Sequence, residues 1–215
     1  MNTTASVSAS AAIPEPKRER GRQRVAAIMD AAVDVFSEKG YDAATMTEIA
    51  ARSSTAIGSL YRFFPSKEVL AEALLRRYAK HVSTSLSELA ARVERMSMDS
   101  LAGALVDFML ALQSQRRLAI ALVDGRAGTD ELRKRFRADA RAGVARVLQC
   151  AIDGIALAKA QAMAAVLLHL LKGLAVAADE TPAMQAVLTG EIRELVRLYL
   201  VAARREARGQ GGTNK

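Results

Sequence analysis

The chain is poor in cysteine, histidine and proline, and it has no tryptophan. Its 215 residues include one cysteine, two histidines and four prolines. Cys150 has no partner for an internal disulfide, and His81 and His169 do not have the spacing of a zinc site. We therefore exclude a small disulfide-stapled protein, and we predict no metal site, no cofactor and a reducing, cytoplasmic location.

Long hydrophobic runs are missing as well. The most apolar stretch, residues 156–178, is rich in alanine and contains Lys159, Gln161, His169 and Lys172. These polar side chains make the stretch too polar to span a bilayer. No membrane partner is expected.

Positive charge is in excess, but it is spread along the chain. Residues 1–78 contain 11 Lys and Arg against 9 Asp and Glu, residues 79–180 contain 14 against 11, and residues 181–215 contain 6 against 3. The net charge of +8 eases the approach of a polyanion without locating a binding face. A basic cluster from Lys17 to Arg24 lies after the apolar part of the amino terminus, the reverse of a secretion signal. We expect residues 1–20 to form a disordered basic arm, either a solvated tail or a minor-groove contact.

Apolar residues recur at helical spacing from one end of the chain to the other. With 51% apolar and 25% charged residues, the composition is that of a globular protein with a sizeable core. Val25, Ile28, Ala32 and Phe36 mark a first helix that ends near Gly40, where glycine can adopt a left-handed conformation. No stretch has the period-two alternation of a β-strand.

Local signals place the next three helices. Thr45 and Glu48 form a capping box at the start of a second helix, and Pro65 stops a third. Ser66 caps a long fourth helix that continues in register to Met96. Further periodic runs cover residues 101–112, 118–123, 131–152, 156–178 and 183–203. The chain is predicted to be all-α, with about nine helices and a flexible tail over residues 208–215.

The second and third helices have the character of a DNA-binding helix-turn-helix. They are short and are separated by about three residues. From residue 49 to residue 67 the charged side chains are Arg52, Arg62 and Lys67, with no acid among them. Many hydroxyl side chains accompany these cations, and both groups bind phosphate oxygens. This pattern predicts a nucleic-acid interface.

The same residues resemble the tetracycline-repressor (TetR) family of bacterial transcriptional regulators. The resemblance rests on Gly40-Tyr41, on Thr45 to Ala50, and on the run Ile57-Gly58-Ser59-Leu60-Tyr61-Arg62-Phe63-Phe64-Pro65-Ser66-Lys67-Glu68-Val69-Leu70. It implies an all-helical homodimer in which a three-helix head, residues 21–78, binds palindromic double-stranded DNA. Residues 79–207 would then dimerise and hold a small-molecule effector that lowers the affinity for the operator.

The resemblance also assigns DNA contacts. By position, Thr45, Thr47, Tyr61 and Lys67 would bind phosphates. Ile57, Ser59 and Arg62 would lie near base edges, and Arg52, Thr55 and Gly58 complete the predicted DNA-binding set.

One departure from the family pattern affects the turn. The chain has Ser53-Ser54-Thr55-Ala56 where the family usually has Ala-Gly-Val-Ser. Ser54 is strained if the turn needs a positive φ, and Thr55 could cap the third helix one residue early. The start of that helix is left open by one residue.

The later helices suggest a dimer interface and an effector pocket. Apolar stripes on the last two helices exceed what one chain can cover, and they predict an interface of Ala164, Leu168, Leu171, Ala175, Leu188, Ile192, Leu195 and Tyr199. Soft side chains on the middle helices are either core or the lining of an effector pocket: Phe108, Met109, Leu112, Met163 and Leu167.

Two other functional classes remain as alternatives. A helical module that binds protein would not need the acid-free stretch from residue 49 to residue 67. An enzyme would need a constellation without any recognisable motif, because the chain has no phosphate-binding glycine loop and no nucleophile elbow. We predict no catalytic residue.

Overall fold

A computed structural model describes residues 19–111, 130–176 and 180–211, which form eight α-helices and no strand. The helices are α1 (Glu19–Ala43), α2 (Met46–Arg52), α3 (Ile57–Phe63), α4 (Lys67–Arg92), α5 (Met98–Ala111), α6 (Asp130–Ala151), α7 (Leu157–Val176) and α8 (Pro182–Gly211). The predicted all-α class is confirmed. The helix predicted over residues 118–123 lies outside the described residues.

The described chain divides into two compact units. The amino-terminal unit extends to Arg77 and the carboxyl-terminal unit begins at Tyr78. Helix α4 therefore starts in the first unit and continues into the second. It ends at Arg92 and not at Met96 as predicted, because a 3-10 turn over Val93–Arg95 replaces its last turn.

A compact apolar core holds the first three helices together. Ile28 and Phe36 of α1, Ile49 of α2, and Leu60 and Phe64 at α3 are almost completely shielded from solvent. Burying side chains of this size stabilises a fold by about 2 kcal/mol each. The predicted amphipathic faces thus meet in one core.

The predicted helix boundaries are present in this unit. Gly40 has φ 78° and interrupts the helical backbone of α1. The Thr45 hydroxyl accepts from the Glu48 amide at 3.3 Å, and the Glu48 carboxylate accepts from the Thr45 amide at 3.0 Å. At the start of α4, the Ser66 hydroxyl accepts from the Val69 amide at 3.4 Å. Each cap supplies a hydrogen-bond acceptor for a backbone amide that has no partner within its own helix.

The turn between α2 and α3 has a left-handed residue that is not glycine. Ser54 has φ 50°. Its amide donates to the Ala51 carbonyl at 3.1 Å, and the Thr55 amide donates to the Ala50 carbonyl at 2.9 Å. The Thr55 hydroxyl donates to Ser53 O at 3.2 Å, so it does not cap α3. Helix α3 begins at Ile57 without a side-chain cap, which corrects the prediction for Thr55.

In the carboxyl-terminal unit α6 packs on α7, and α5 packs on α8. Leu148, Met163 and Leu167 are completely buried there. Helix α4 approaches α6 closely, because a Cβ at Gly143 would lie 2.7 Å from Leu86 Cδ1. Among the described residues, no helix has the length and apolarity that a membrane crossing requires.

Candidate nucleic-acid interface

Helix α3 turns one complete face to solvent. Ile57 is 42% exposed and Tyr61 is 46% exposed, and Gly58 and Arg62 are exposed beside them. Leu60, on the opposite face, is fully buried. Positions i, i+1, i+4 and i+5 share one side of a helix. Four residues of the predicted DNA-binding set therefore share this exposed face.

The side chains on this α3 face suit a DNA groove. The Arg62 guanidinium lies 5.1 Å from the centroid of the Phe63 ring, and it has no ion pair among residues 19–111. Tyr61 presents a phenol, and Ile57 presents a branched alkyl group. A Cβ at Gly58 would meet nothing within 4 Å. Thr47 is exposed in the first turn of α2.

Ser59 does not belong to the exposed face, which corrects the prediction that it lies near base edges. Its hydroxyl oxygen is shielded from solvent and has no hydrogen-bond partner within the described part of the chain. Because Ser59 adjoins buried Leu60 and lies one turn from buried Phe63, its side chain packs toward the core side.

The Arg52 side chain forms an ion pair within the amino-terminal unit. Its two terminal nitrogens donate to the two carboxylate oxygens of Glu38, one of them at 2.7 Å. This bidentate pair ties α2 to α1 and holds the pKa of Glu38 below its usual value. Arg52 therefore links α2 to α1. Its guanidinium would have to leave Glu38 before it could bind phosphate.

The Lys67 ammonium is hydrogen-bonded within the amino-terminal unit, which corrects the prediction that it binds phosphate. Its ammonium donates to the carbonyls of Tyr41 at 2.7 Å, Asp42 at 3.1 Å and Ala44 at 3.0 Å. It also lies 4.5 Å from the centroid of the Tyr41 ring. An ammonium has three hydrogens to donate, and all three are used here. Lys67 satisfies the carbonyls at the end of α1.

Thr45 combines its capping role with a link to Glu48. The Thr45 hydroxyl donates to Glu48 Oε2 at 2.9 Å, and Lys39 forms an ion pair with the same carboxylate. Hydrogen bonds from Lys39 and from Thr45 lower the pKa of Glu48 to about 2. The Thr45 side chain is exposed, but its hydroxyl is already hydrogen-bonded to Glu48, whereas the Thr47 hydroxyl has no partner among the described residues.

We expect Glu48→Gln to remove a pH-dependent part of the stability. A carboxyl group whose pKa is lowered in the folded state stabilises the fold above its unfolded pKa, and this contribution is lost as the pH falls toward 2. The variant should unfold at lower urea concentration than the parent chain at pH 7, and the difference should shrink between pH 4.5 and pH 2. Glu88→Gln, at an exposed position without an ion pair among the described residues, is the matched control.

The basic cluster near the amino terminus is partly helical. Arg20, Arg22 and Arg24 lie in α1, which begins at Glu19, so the predicted arm does not extend through residue 20. Arg22 forms an ion pair with Glu19. Lys17 and Arg18 lie outside the described residues.

The carboxyl-terminal unit contains a cavity of about 540 Å³. Its lining consists of Tyr78, Val82, Leu86, Phe108, Met109, Lys134, Phe136, Arg137, Ala138, Ala140, Arg141, Ala165, Leu168 and His169. Of the predicted pocket residues, Phe108 and Met109 line this cavity. Met163 and Leu167 are core residues and are not part of the lining. Leu112 lies outside the described residues.

Helix α8 exposes several large apolar side chains. The exposed fractions are 46% for Met184, 58% for Val187, 52% for Leu195 and 50% for Leu198. Of the predicted interface residues, Leu195 belongs to this group. Leu188, Ile192 and Tyr199 are partly exposed, and Leu168 lines the cavity. Ala164 is buried within its own chain, which corrects its assignment, and the side chains of Leu171 and Ala175 are outside the description.

Comparison with known proteins relates the amino-terminal unit to DNA-binding regulators. The profile of the family described as bacterial regulatory proteins, tetR family, matches residues 28–74. KstR, an HTH-type transcriptional repressor of Mycolicibacterium smegmatis, is 38% identical over 81 residues. That alignment covers 37% of this chain and 38% of KstR, so the chain spans well under half the length of this relative.

Solved structures extend the likeness over most of the fold. A TetR-family regulator from Streptomyces coelicolor is 25% identical with a TM-score of 0.57, covering 84% of this chain and 99% of that one. SmeT, solved in complex with triclosan, is 21% identical with a TM-score of 0.62, covering 84% of this chain and 90% of that one. Residues 28–74, which contain the helix-turn-helix at residues 46–63, match the tetR family of bacterial regulatory proteins, and the described helices share the fold of solved TetR-family regulators.

Proposed function

We propose that this chain is a homodimeric repressor that binds a palindromic operator and releases it when a small molecule enters the cavity. The observation that carries the proposal is the exposed, acid-free face of α3. Its four side-chain positions face solvent, whereas Leu60 and Phe63 anchor the other side of the same helix. A recognition helix needs this division between core and groove.

The chemistry of the α3 face suggests how sequence is read. Arg62 can form a bidentate contact with guanine, and Ile57 can contact a thymine methyl group. Thr47 and Tyr61 have hydroxyl groups suited to phosphate oxygens, which fix orientation and carry no sequence information. Gly58 allows the helix backbone to approach the duplex closely.

The apolar face of α8 supports a homodimer. Met184, Val187, Leu195 and Leu198 recur at helical spacing and form one stripe, defined here as the α8 stripe. Four half-exposed large apolar residues on one helix are typical of a face that another chain covers. A second copy related by a two-fold axis would bring two stripes together. Two heads about 34 Å apart would then bind successive turns of one duplex.

The cavity supports a response to a small molecule. Tyr78, Val82 and Leu86 of α4 contribute to its lining, and α4 begins in the DNA-binding unit. A ligand that packs against these residues would shift α4 and change the separation of the two heads. Only a difference in ligand affinity between the two states can drive such a change.

The test begins with selection of binding sites from genomic DNA, followed by gel shifts on the selected site. Arg62→Ala is expected to weaken binding about tenfold and to relax the preference at one base pair. Tyr61→Phe should weaken binding equally on all sequences. Arg146→Ala removes the same charge at an exposed position of α6 and should leave binding unchanged. Equal affinities of Arg62→Ala and Arg146→Ala would refute the assignment of α3.

A further inference from the structure

We infer that the cavity of the carboxyl-terminal unit takes an amphipathic anion, a small molecule with an apolar body and a carboxylate or phosphate head group. This inference rests on the proposed effector role of the cavity and names the class of molecule. It follows from the distribution of charge around the cavity, which has three cations and no acidic side chain among its described lining residues.

The cations come from one face of α6. Lys134, Arg137 and Arg141 line the cavity at positions i, i+3 and i+7, which lie one above another on a helix. The nearby acid Asp139 is not part of the lining. Lys134 and Arg141 have no acidic partner in the described parts of the chain, so their charges are not neutralised there. An anion is attracted to such a site, and a cationic ligand is repelled.

Other lining side chains, from α4 and from α6 itself, form an apolar and partly aromatic wall. The Tyr78 ring stacks on the Phe136 ring with centroids 5.3 Å apart, and Val82 and Leu86 are buried on the α4 side. The volume of about 540 Å³ falls in the range of small-molecule sites. An alkyl or ring system gains free energy by leaving water against this wall.

His169 adds one more polar group to the lining. Its Nδ1 lies 2.7 Å from the Ala165 carbonyl oxygen, and that oxygen can only accept a hydrogen bond. Nδ1 therefore holds the hydrogen in this contact, and Nε2 is the ring nitrogen that can face a ligand. The cavity thus offers apolar side chains for the body of the ligand, and cationic and polar side chains for its head group.

Thermal-shift measurements on the full chain test the ligand class with four ten-carbon probes. Decanoate and decyl phosphate share the apolar tail and carry an anionic head, whereas decanol is neutral and decylammonium is cationic. A ligand that binds the native state raises the melting temperature. Both anions are expected to raise it more than decanol does, and decylammonium should have no effect. The larger of the two anionic shifts distinguishes a carboxylate ligand from a phosphate ester.

Charge-matched variants locate the head group. Lys134→Gln and Arg141→Gln should each raise the dissociation constant of the preferred anion about fivefold. Arg146→Gln, exposed on the same helix and outside the lining, should leave it unchanged. Equal shifts with decanol and decanoate, or equal affinities of the three variants, would overturn the inference. So would an anion effect that persists in Leu168→Trp, where a larger side chain occupies the cavity.

Release of the operator is a separate measurement. An anion that binds with the expected variant pattern but leaves the protein on DNA would refute the effector role and support the ligand class. A neutral molecule that enters the cavity and releases the operator, with no response to the anions, would support the effector role and refute the ligand class.

Discussion

Leu195→Glu is expected to turn the proposed homodimer into a monomer and to weaken operator binding by more than about a hundredfold. Leu195 lies in the α8 stripe and is 52% exposed in the single chain. In the proposed dimer the new carboxylate would be buried against apolar side chains without a partner, which is costly. A monomer loses the gain that comes from tethering two heads on one duplex, and this gain accounts for the large effect.

Ala186→Glu provides the matched control for this variant. It introduces the same charge at an exposed position of α8 on the side away from the stripe, so it should leave the dimer intact. Light scattering after size-exclusion chromatography reports the oligomeric state, and gel shifts report the affinity. A dimeric Leu195→Glu protein with full operator affinity would show that the α8 stripe is not the interface.

Lys67→Met is expected to lower the free energy of unfolding by about 2 kcal/mol. The substitution removes the donor for three backbone carbonyls at the end of α1 and the cation above the Tyr41 ring. Lys67 is partly buried, so water can replace only some of these hydrogen bonds. Urea unfolding at neutral pH measures the change.

Lys80→Met separates this local role from a general effect of lost charge. Lys80 is exposed on the same helix and has no ion pair among the described residues, so its loss should cost little. If Lys67 bound phosphate instead, Lys67→Met would leave the free energy of unfolding unchanged. It would reduce the slope of DNA affinity against salt concentration by about one unit, and this outcome would contradict the prediction.

Features that depend on neighbouring residues could be predicted from the sequence. The capping box joins Thr45 to Glu48, and the left-handed Gly40 and the Pro65 stop act within one or two turns. The exposed positions of α3 follow from helical periodicity once Leu60 and Phe63 are taken as core. Such signals are local, and the backbone near them leaves few alternatives.

Features that join distant parts of the chain could not be predicted in this way. Arg52 and Glu38 come from different helices, and Lys67 reaches carbonyls more than twenty residues before it. A motif gives the identity of such a cation but not its partner. Ser59 shows the same limit, because the tilt of α3 on the core decides which way its hydroxyl points.

The pocket residues were predicted only in part for a related reason. Phe108 and Met109 line the cavity, whereas Met163 and Leu167 are equally soft and apolar but are fully buried in the core. Helical spacing does not distinguish a side chain that meets a neighbour from one that meets a void. The cations of α6 that line the cavity were not predicted, because helical spacing does not show which charged side chains border a cavity and which face open solvent.

The serine in the turn between α2 and α3 has a consequence for how this region tolerates mutation. A left-handed residue other than glycine costs about 1–2 kcal/mol, and Ser54 carries this cost in the native state. Glycine at the same position would relieve it but would enlarge the ensemble of the unfolded chain, a loss of about 0.5–1 kcal/mol. The relief exceeds the loss, so Ser54→Gly is expected to raise the free energy of unfolding of the domain by about 0.5–1 kcal/mol.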